Sequence, residues 1–471
     1  HVAVYMEPEE YKNFFIHKTY QMTGRYVFMK NALAYVDSQG EYYYDEPTGK
    51  LYYYWAGDIS DKSFARATSD YMLYFKNADN ITVSGLRITG LDDAYLSHND
   101  GCVSLGNTGG APGAWDRGSE HGFTFDRAAI VFDSGNNLAV YDCDFAELGT
   151  RGIFGRHMLK NVTIEDNTFT RLGAGAIHLG AGGEQRTYSE GKSEFENIAI
   201  INNYVHDIAR EYYSSFGIFT AFGKNVEILH NTVTKCSYSA IGLGLYYSFV
   251  SFDPTTSSSY HIYNAEIAYN YVGDFMQQIG DGGGIYVTGA SADKTITGYM
   301  NYLHDNYVLF TKDTGNALNM VCGLYFDGAA SNWHVYNNVI VQQSYGAYSG
   351  EGDGTLDAEY LQNMRKRRYN TYLIYLQRIA SQFAYNILCE NNYILNVRAT
   401  DPEAQKDEVF RRGSINGVEK SLVDPTRNLE ERSTHYIKDV SRIPIPAEEI
   451  IYAAGAPGYE GMADDLWNND Y

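Results

Sequence analysis

The chain has 471 residues, 44 % of them hydrophobic, with 46 glycines, 44 tyrosines, 9 prolines and a formal charge of −22. That charge argues against a nucleic-acid partner, which needs clustered Lys and Arg, and no stretch approaches the roughly eighteen apolar residues of a membrane span. The five dispersed cysteines (Cys102, Cys143, Cys236, Cys322, Cys389) argue against a disulfide framework or a CxxC metal site and read as single buried thiols.

The start, "HVAVYMEP", lacks an initiator methionine and reads as a processed or excerpted end, which leaves export open. Within residues 1–75, "SQGEYYYDEPTGKLYYYWAGD" (38–58) sets two alternating runs about Glu46-Pro47-Thr48-Gly49. This is a hairpin signal, and it predicts a small inserted β-subdomain.

Residues 76–400 carry an irregular repeat of the form Asn-apolar-x-apolar-x-x-Asn-x-apolar. It begins at Asn80, Asn137, Asn161, Asn197, Asn225, Asn264, Asn332 and Asn386, with a degraded copy from Thr295. Each copy is expected to be followed by a second short strand opening on a small residue, as in "RGIFG" (151–155), "GGIYVTG" (283–289) and "CGLYFDG" (322–328). A strand-rich repeat of about two dozen residues with unequal insertions predicts an all-β parallel β-helix. The inner asparagines (Asn167, Asn203, Asn231, Asn270, Asn301, Asn338, Asn392) are expected to form a structural ladder. The segment near 355–381, with "RKRR" at 365–368, reads as a charged helical insertion, and 401–471 as a wrapping segment that caps the open end.

Insertions into such a stack build a groove, so their polar residues are the candidates. "HLGAGGEQRTYSEG" (178–191) offers His178, Glu184 and Arg186; "HDIAREYYSSFG" (206–217) offers His206, Arg210, Glu211, Tyr212 and Tyr213. Two further strands each carry a rim acid, Asp281 before Gly284-Ile285-Tyr286-Val287 and Asp327 after Gly323-Leu324-Tyr325-Phe326. Paired carboxyls cleave glycosidic bonds at separations of ~5 Å or ~6.5–9.5 Å. Counted from the shared glycine the two acids stand seven places apart, ~23 Å on a straight strand, so the pair requires a sharp bend or a shifted register. Aspartate beside glycine is otherwise an ordinary turn residue.

Several stretches resemble the right-handed parallel β-helix enzymes of glycoside hydrolase family 141, and more loosely other pectate-lyase-like proteins. They are "GEYYYDEPTGKLYYYW" (40–55), "GGEQRTYSEG" (182–191), "NNYVHDIAREYYSSFGIF" (202–219), "DGGGIYVTG" (281–289) and "YFDGAASNWHVYNN" (325–338). The resemblance implies a right-handed β-helix, catalysis by Asp281 and Asp327, and α-L-fucosidase or xylanase-like activity on pectin, xylan or related wall glycans. On that reading Glu184, Arg186, Arg210 and Glu211 bind hydroxyls, and Tyr212, Tyr213 and Tyr286 stack on sugar rings. No cofactor is implied, and an extracellular, periplasmic or cell-surface monomer is expected. The chain departs from the family in Gly328, where a second acid is expected, and in Glu184-Gln185-Arg186, where Asp-Arg is commoner. By the same resemblance the chain is expected to begin inside the family's domain, without its first coils.

Two other readings remain. A polysaccharide lyase or uronate epimerase would use Arg210, His178 or His206 as base and Ca²⁺ held by carboxylates. A non-catalytic glycan-binding solenoid would leave both aspartates as turn residues.

Overall fold

The computed structural model describes residues 32–91, 128–180, 195–244, 262–288, 298–310, 321–342, 371–376, 384–396, 429–437 and 443–459, apart from 46, 68, 70, 157, 214, 221–222, 279–281 and 328–329. It divides into two compact units, 1–67 and 68–471. In the first, Tyr42–Asp45 and Lys50–Tyr53 form the expected antiparallel hairpin, with Asp45 opposite Lys50. Gly49 adopts φ +68°, a left-handed conformation that glycine reaches without strain.

The second unit is mostly β, with two long parallel sheets that count 17 and 10 strands among the described residues. Each full repeat supplies three strands, as in Arg151–Gly155, Leu159–Glu165 and Thr168–Leu172. The first two join the larger sheet and the third joins the smaller one. Parallel register brings identical places of the repeat into rows. One such row is Leu73, Ile130, Ile153, Ile177, Ile218, Ile241, Ile285, Leu324 and Ile374. From Ile130 onward its members are 0–1 % exposed and form the spine of the core. β-Branched side chains suit this role because their restricted rotamers pack on a pleated surface.

Two asparagine ladders hold the rows in register. In the buried one, the side chain of Asn167 bonds to Asn203, and the series continues through Asn231, Asn270, Asn306 and Asn338 to Asn392 at 2.9–3.0 Å. Each amide also donates to backbone carbonyls at the turn, as Asn270 does to Ile228 and Ala268. The expected member Asn301 belongs elsewhere: it accepts from the Ala265 N–H, and Asn306 takes the ladder place. "NYLHDN" puts two asparagines five residues apart, and only the one after the turn residue Asp305 (φ 50°) reaches the ladder. The second ladder runs along exposed strand positions, from Asn80 through Asn137 and again from Asn161 through Asn197 and Asn225 to Asn264. All six have φ between 52° and 59°, a left-handed conformation asparagine tolerates better than most residues.

Three expectations change in the C-terminal third. Thr371–Leu376, within the segment expected to be helical, is a strand paired in parallel with Val321–Asp327. Its alternating Tyr-Leu-Ile-Tyr-Leu run outweighs the nearby basic residues. The stack also continues past Asn392, through Leu429–Arg432 and His435–Ile437. Glutamates at 430 and 431 and Thr434 in the asparagine place hid that copy. Finally, the helix Ile445–Ala453 lies along the smaller sheet, where Ala447 and Ile451 pack with Tyr271, Tyr307, Val339 and Tyr393. Beyond it Tyr459 stacks on Tyr204 at 3.8 Å. The described part of this segment therefore covers a side of the stack.

Candidate active site

Successive residues of a strand face opposite sides of a sheet. The isoleucine row faces the core, so the next row faces away from it: Tyr74, Val131, Phe154, His178, Phe219, Gly242, Tyr286 and Tyr325. Val131 and Phe154 form a cluster separate from the main core, with Tyr74 against them, whereas Phe219, Tyr286 and Tyr325 pack into the main cluster. The row is nonetheless covered: Phe154, His178, Phe219, Tyr286 and Tyr325 are all 8 % exposed or less. Gly242 leaves a gap in the row that Phe216 fills, since a Cβ there would lie 2.5 Å from the Phe216 ring.

Asp327 ends its strand opposite Thr288 and is 3 % exposed. It lies two residues beyond Tyr325, on the same outward side. The Tyr286 hydroxyl donates to its Oδ2 at 2.6 Å, while the Tyr286 ring stacks on Tyr325 at 4.6 Å and 13°. Tyr286, expected as an open stacking platform, is thus a buried ring that orients a carboxyl. Nearby, the Thr288 hydroxyl is buried without a hydrogen-bond partner among the described residues.

Asp281 lies outside the described residues, as do Glu184 and Arg186. The register of the strand that follows Asp281 is fixed, however. Its neighbour Gly282 pairs with Val321 and Thr288 pairs with Asp327, so Gly282 and Asp327 stand six residues apart along the ladder, ~20 Å at ~3.3 Å per residue. The two strands stay aligned throughout, without the register shift that a direct pair would require.

His178 sits three strands from Tyr286 in the same row, ~14 Å away at ~4.8 Å per strand. Its Nε2 lies 3.0 Å from the Gly180 carbonyl, which can only accept, so Nε2 carries the proton. Burial, and then the Arg151 charge, hold it well below the ordinary imidazole range. It is therefore a neutral ring between Phe154 and Phe219, with Nδ1 as its acceptor. This is a poor arrangement for a cationic group and a good one for an uncharged partner.

The turn after the strand Tyr204–Ile208 is tied down by backbone bonds. The N–H groups of Arg210, Glu211 and Tyr212 donate to Leu172 and Gly173. Tyr212 is buried, Glu211 and Tyr213 are half-buried and Arg210 is exposed. His206, from the same stretch, bonds to Thr234 through Nδ1 and is lowered by burial.

The sequence reading missed a second polar group on the outward side. Asp133 accepts from the Tyr74 hydroxyl at 3.1 Å and faces Arg156 at 3.8 Å, and Arg151 lies over Phe154 at 4.9 Å. Asp133 and Arg151 are 7 % and 4 % exposed. The signal was available, because Phe132-Asp133 and Phe326-Asp327 occupy the same place in the repeat, six strands apart. At ~29 Å they cannot act on one bond. Among the described residues, no group of three or more His, Cys, Asp or Glu side chains could hold a metal ion. Nor is any helix there long and apolar enough to cross a membrane. Cys143, Cys236, Cys322 and Cys389 are buried, and burial raises the pKa of Cys143 and Cys236.

A solved structure described as a "Glycoside hydrolase" is similar to this chain, with a TM-score of 0.51 at 17 % identity. The match covers 67 % of this chain and 55 % of that one, so the chain spans just over half of that structure's length. At this identity the likeness concerns the fold, which is glycoside-hydrolase-like. No protein-family model matches the sequence, and no curated protein matches it.

Proposed function

We propose that the protein is a glycoside hydrolase acting on neutral or weakly charged wall-type glycans, with Asp327 as a catalytic carboxyl. The observation that carries this reading is the buried Tyr286–Asp327 bond on the outward side of a parallel stack whose fold is shared with a glycoside hydrolase. The stack is read as a right-handed parallel β-helix, with its reactive side along the Phe154–Tyr325 row. Tyr286 holds the Asp327 carboxyl in one orientation, and a reacting oxygen positioned beside it gains from that preorganisation.

Asp281, bonded to Gly282 and so ~20 Å along the ladder from Asp327, is proposed as a carboxyl acting elsewhere along the glycan rather than as a direct partner of Asp327 on one bond. Glu184, Arg186, Arg210 and Glu211 are proposed hydroxyl ligands, and Tyr212 and His178 line the approach. The protein is proposed to work as a monomer outside the cytoplasm, on pectic or xylan-type substrates and without a metal.

A panel of wall oligosaccharides and aryl glycosides tests this reading. New reducing ends without ultraviolet-absorbing unsaturated product, indifferent to EDTA, support hydrolysis. Unsaturated product lost with EDTA would replace it with a calcium-dependent lyase.

A further inference from the structure

A hydroxyl beside Asp327 stands unused in the arrangement described so far. Thr288 lies two residues beyond Tyr286 in the same strand, so alternation turns its side chain to the same outward side. It is 5 % exposed, and its hydroxyl has no hydrogen-bond partner among the described residues. The neighbours explain why. On one adjoining strand the facing residue is Gly244, next to the Leu243–Val287 pair, and it has no side chain to offer. The Tyr286 hydroxyl is committed to Oδ2 of Asp327 at 2.6 Å. On the other adjoining strand Asp327 stands directly opposite Thr288, yet no hydrogen bond joins the two side chains.

Buried polar groups are normally bonded, and a buried hydroxyl without a partner costs stability. Neighbouring strands lie ~4.8 Å apart, and two O–H···O bonds of ~2.7 Å placed in line span ~5.4 Å. One ligand oxygen between Thr288 and Asp327 can therefore bond to both. The pair also selects the kind of oxygen. A carboxylate there would be repelled by Asp327, and an ether oxygen, which only accepts, would leave the carboxyl unmatched. A hydroxyl donates to the carboxyl and accepts from Thr288 at the same time.

We infer that Thr288 is a specificity-determining residue, which together with Asp327 binds one hydroxyl of a neutral sugar unit beside the bond to be cleaved. This rests on the hydrolase reading of Asp327 and deepens it, because a uronate carboxyl or a deoxy position is rejected at that place.

The test compares the parent, Thr288→Val and Thr288→Ser on an aryl xyloside and an aryl α-L-fucoside, each with its monodeoxy analogues. Valine keeps the β-branched shape and removes only the hydroxyl, and serine keeps the hydroxyl. The expected kcat/KM falls roughly tenfold or more in Thr288→Val and stays within a few-fold of the parent in Thr288→Ser. That loss disappears on the one monodeoxy analogue lacking the bound hydroxyl. The melting temperature of Thr288→Val is no lower than the parent's, since a methyl replaces an unpartnered polar group.

Unaltered cleavage by Thr288→Val, as for a hydroxyl that merely holds a trapped water, would overturn the inference and leave the hydrolase reading standing. An equal loss on every monodeoxy analogue would do the same. If the parent cleaves neither glycoside, titration calorimetry with the same compounds decides. Binding weakened in Thr288→Val and restored in Thr288→Ser would keep the Thr288 contact and remove the hydrolase reading, and no binding at all would overturn both.

Discussion

Tyr286 and Asp327 meet diagonally. Tyr286 stands opposite Tyr325 in register and Asp327 opposite Thr288, yet the phenol reaches across to Oδ2 at 2.6 Å. The stack on Tyr325 holds the ring at the angle that permits this. Tyr286→Phe keeps that stack and removes only the donor. A hydrogen bond to a charged group contributes about 1.5–3 kcal/mol, so kcat is expected to fall roughly ten- to a hundredfold with KM little changed. Steady-state kinetics on any cleaved aryl glycoside would check this.

Gly244 reaches the same place from the neighbouring repeat. It has φ +104°, and a Cβ there would lie 1.8 Å from the Thr288 carbonyl oxygen. Gly244→Ala must move the strand that pairs with Asp327. Both the melting temperature and kcat are expected to drop, by more than in a Gly298→Ala control. Gly298 also has positive φ (+109°) but nothing within 4 Å of its Cβ. Calorimetry and kinetics on both variants separate backbone strain from displacement.

The two asparagine ladders should differ in cost. Asn270→Ala takes its donor from the Ile228 carbonyl and its acceptor from the Asn231 N–H and side-chain amide inside the core, while the Ala268 carbonyl keeps the His230 N–H. At about 1–3 kcal/mol per buried unsatisfied group, a loss above ~3 kcal/mol is expected. Asn264→Ala, at an exposed place with φ 52°, loses one surface bond and gains left-handed strain, about 1–2 kcal/mol. Urea unfolding of the two variants should rank them in that order.

His178 makes stability depend on pH in a fixed direction. Its folded-state pKa lies well below 6.5, so under mildly acidic conditions the unfolded chain binds a proton that the native ring refuses. Stability is therefore full above pH ~6.5 and declines as pH falls below it. His206 and His230 are lowered too and add to the same slope. His178→Gln should flatten the decline between pH 6.5 and 5 relative to the parent, as read from melting temperatures.

Much of this was legible in advance because the repeat makes the same demands at every copy. The Asn-apolar phrases fixed the stacked strands, and "EYYYDEPTGKLYYY" fixed the hairpin. Asn301 was misplaced because spacing cannot tell which of two nearby asparagines follows the left-handed turn residue. The copy at 429–437 was missed because it replaces apolar residues with glutamates. Asp327 could be singled out beside its glycine, but its bond to Tyr286 depends on cross-strand register, which no single strand encodes. The buried Asp133 and Arg151 and the half-buried Arg156 passed unnoticed among ordinary surface charges, although Phe132-Asp133 repeats Phe326-Asp327.

The central claim is that Asp327 cleaves glycosidic bonds, and the most direct measurement compares reducing-end release by the parent, Asp327→Asn and Asp281→Asn on one cleaved substrate. The account predicts a loss of about a thousandfold or more in kcat for Asp327→Asn with the fold intact, the scale on which removing a catalytic acid or base is felt. A comparable loss in Asp281→Asn would add it as a second carboxyl, acting elsewhere along the glycan. Activity in Asp327→Asn within a few-fold of the parent would contradict the account.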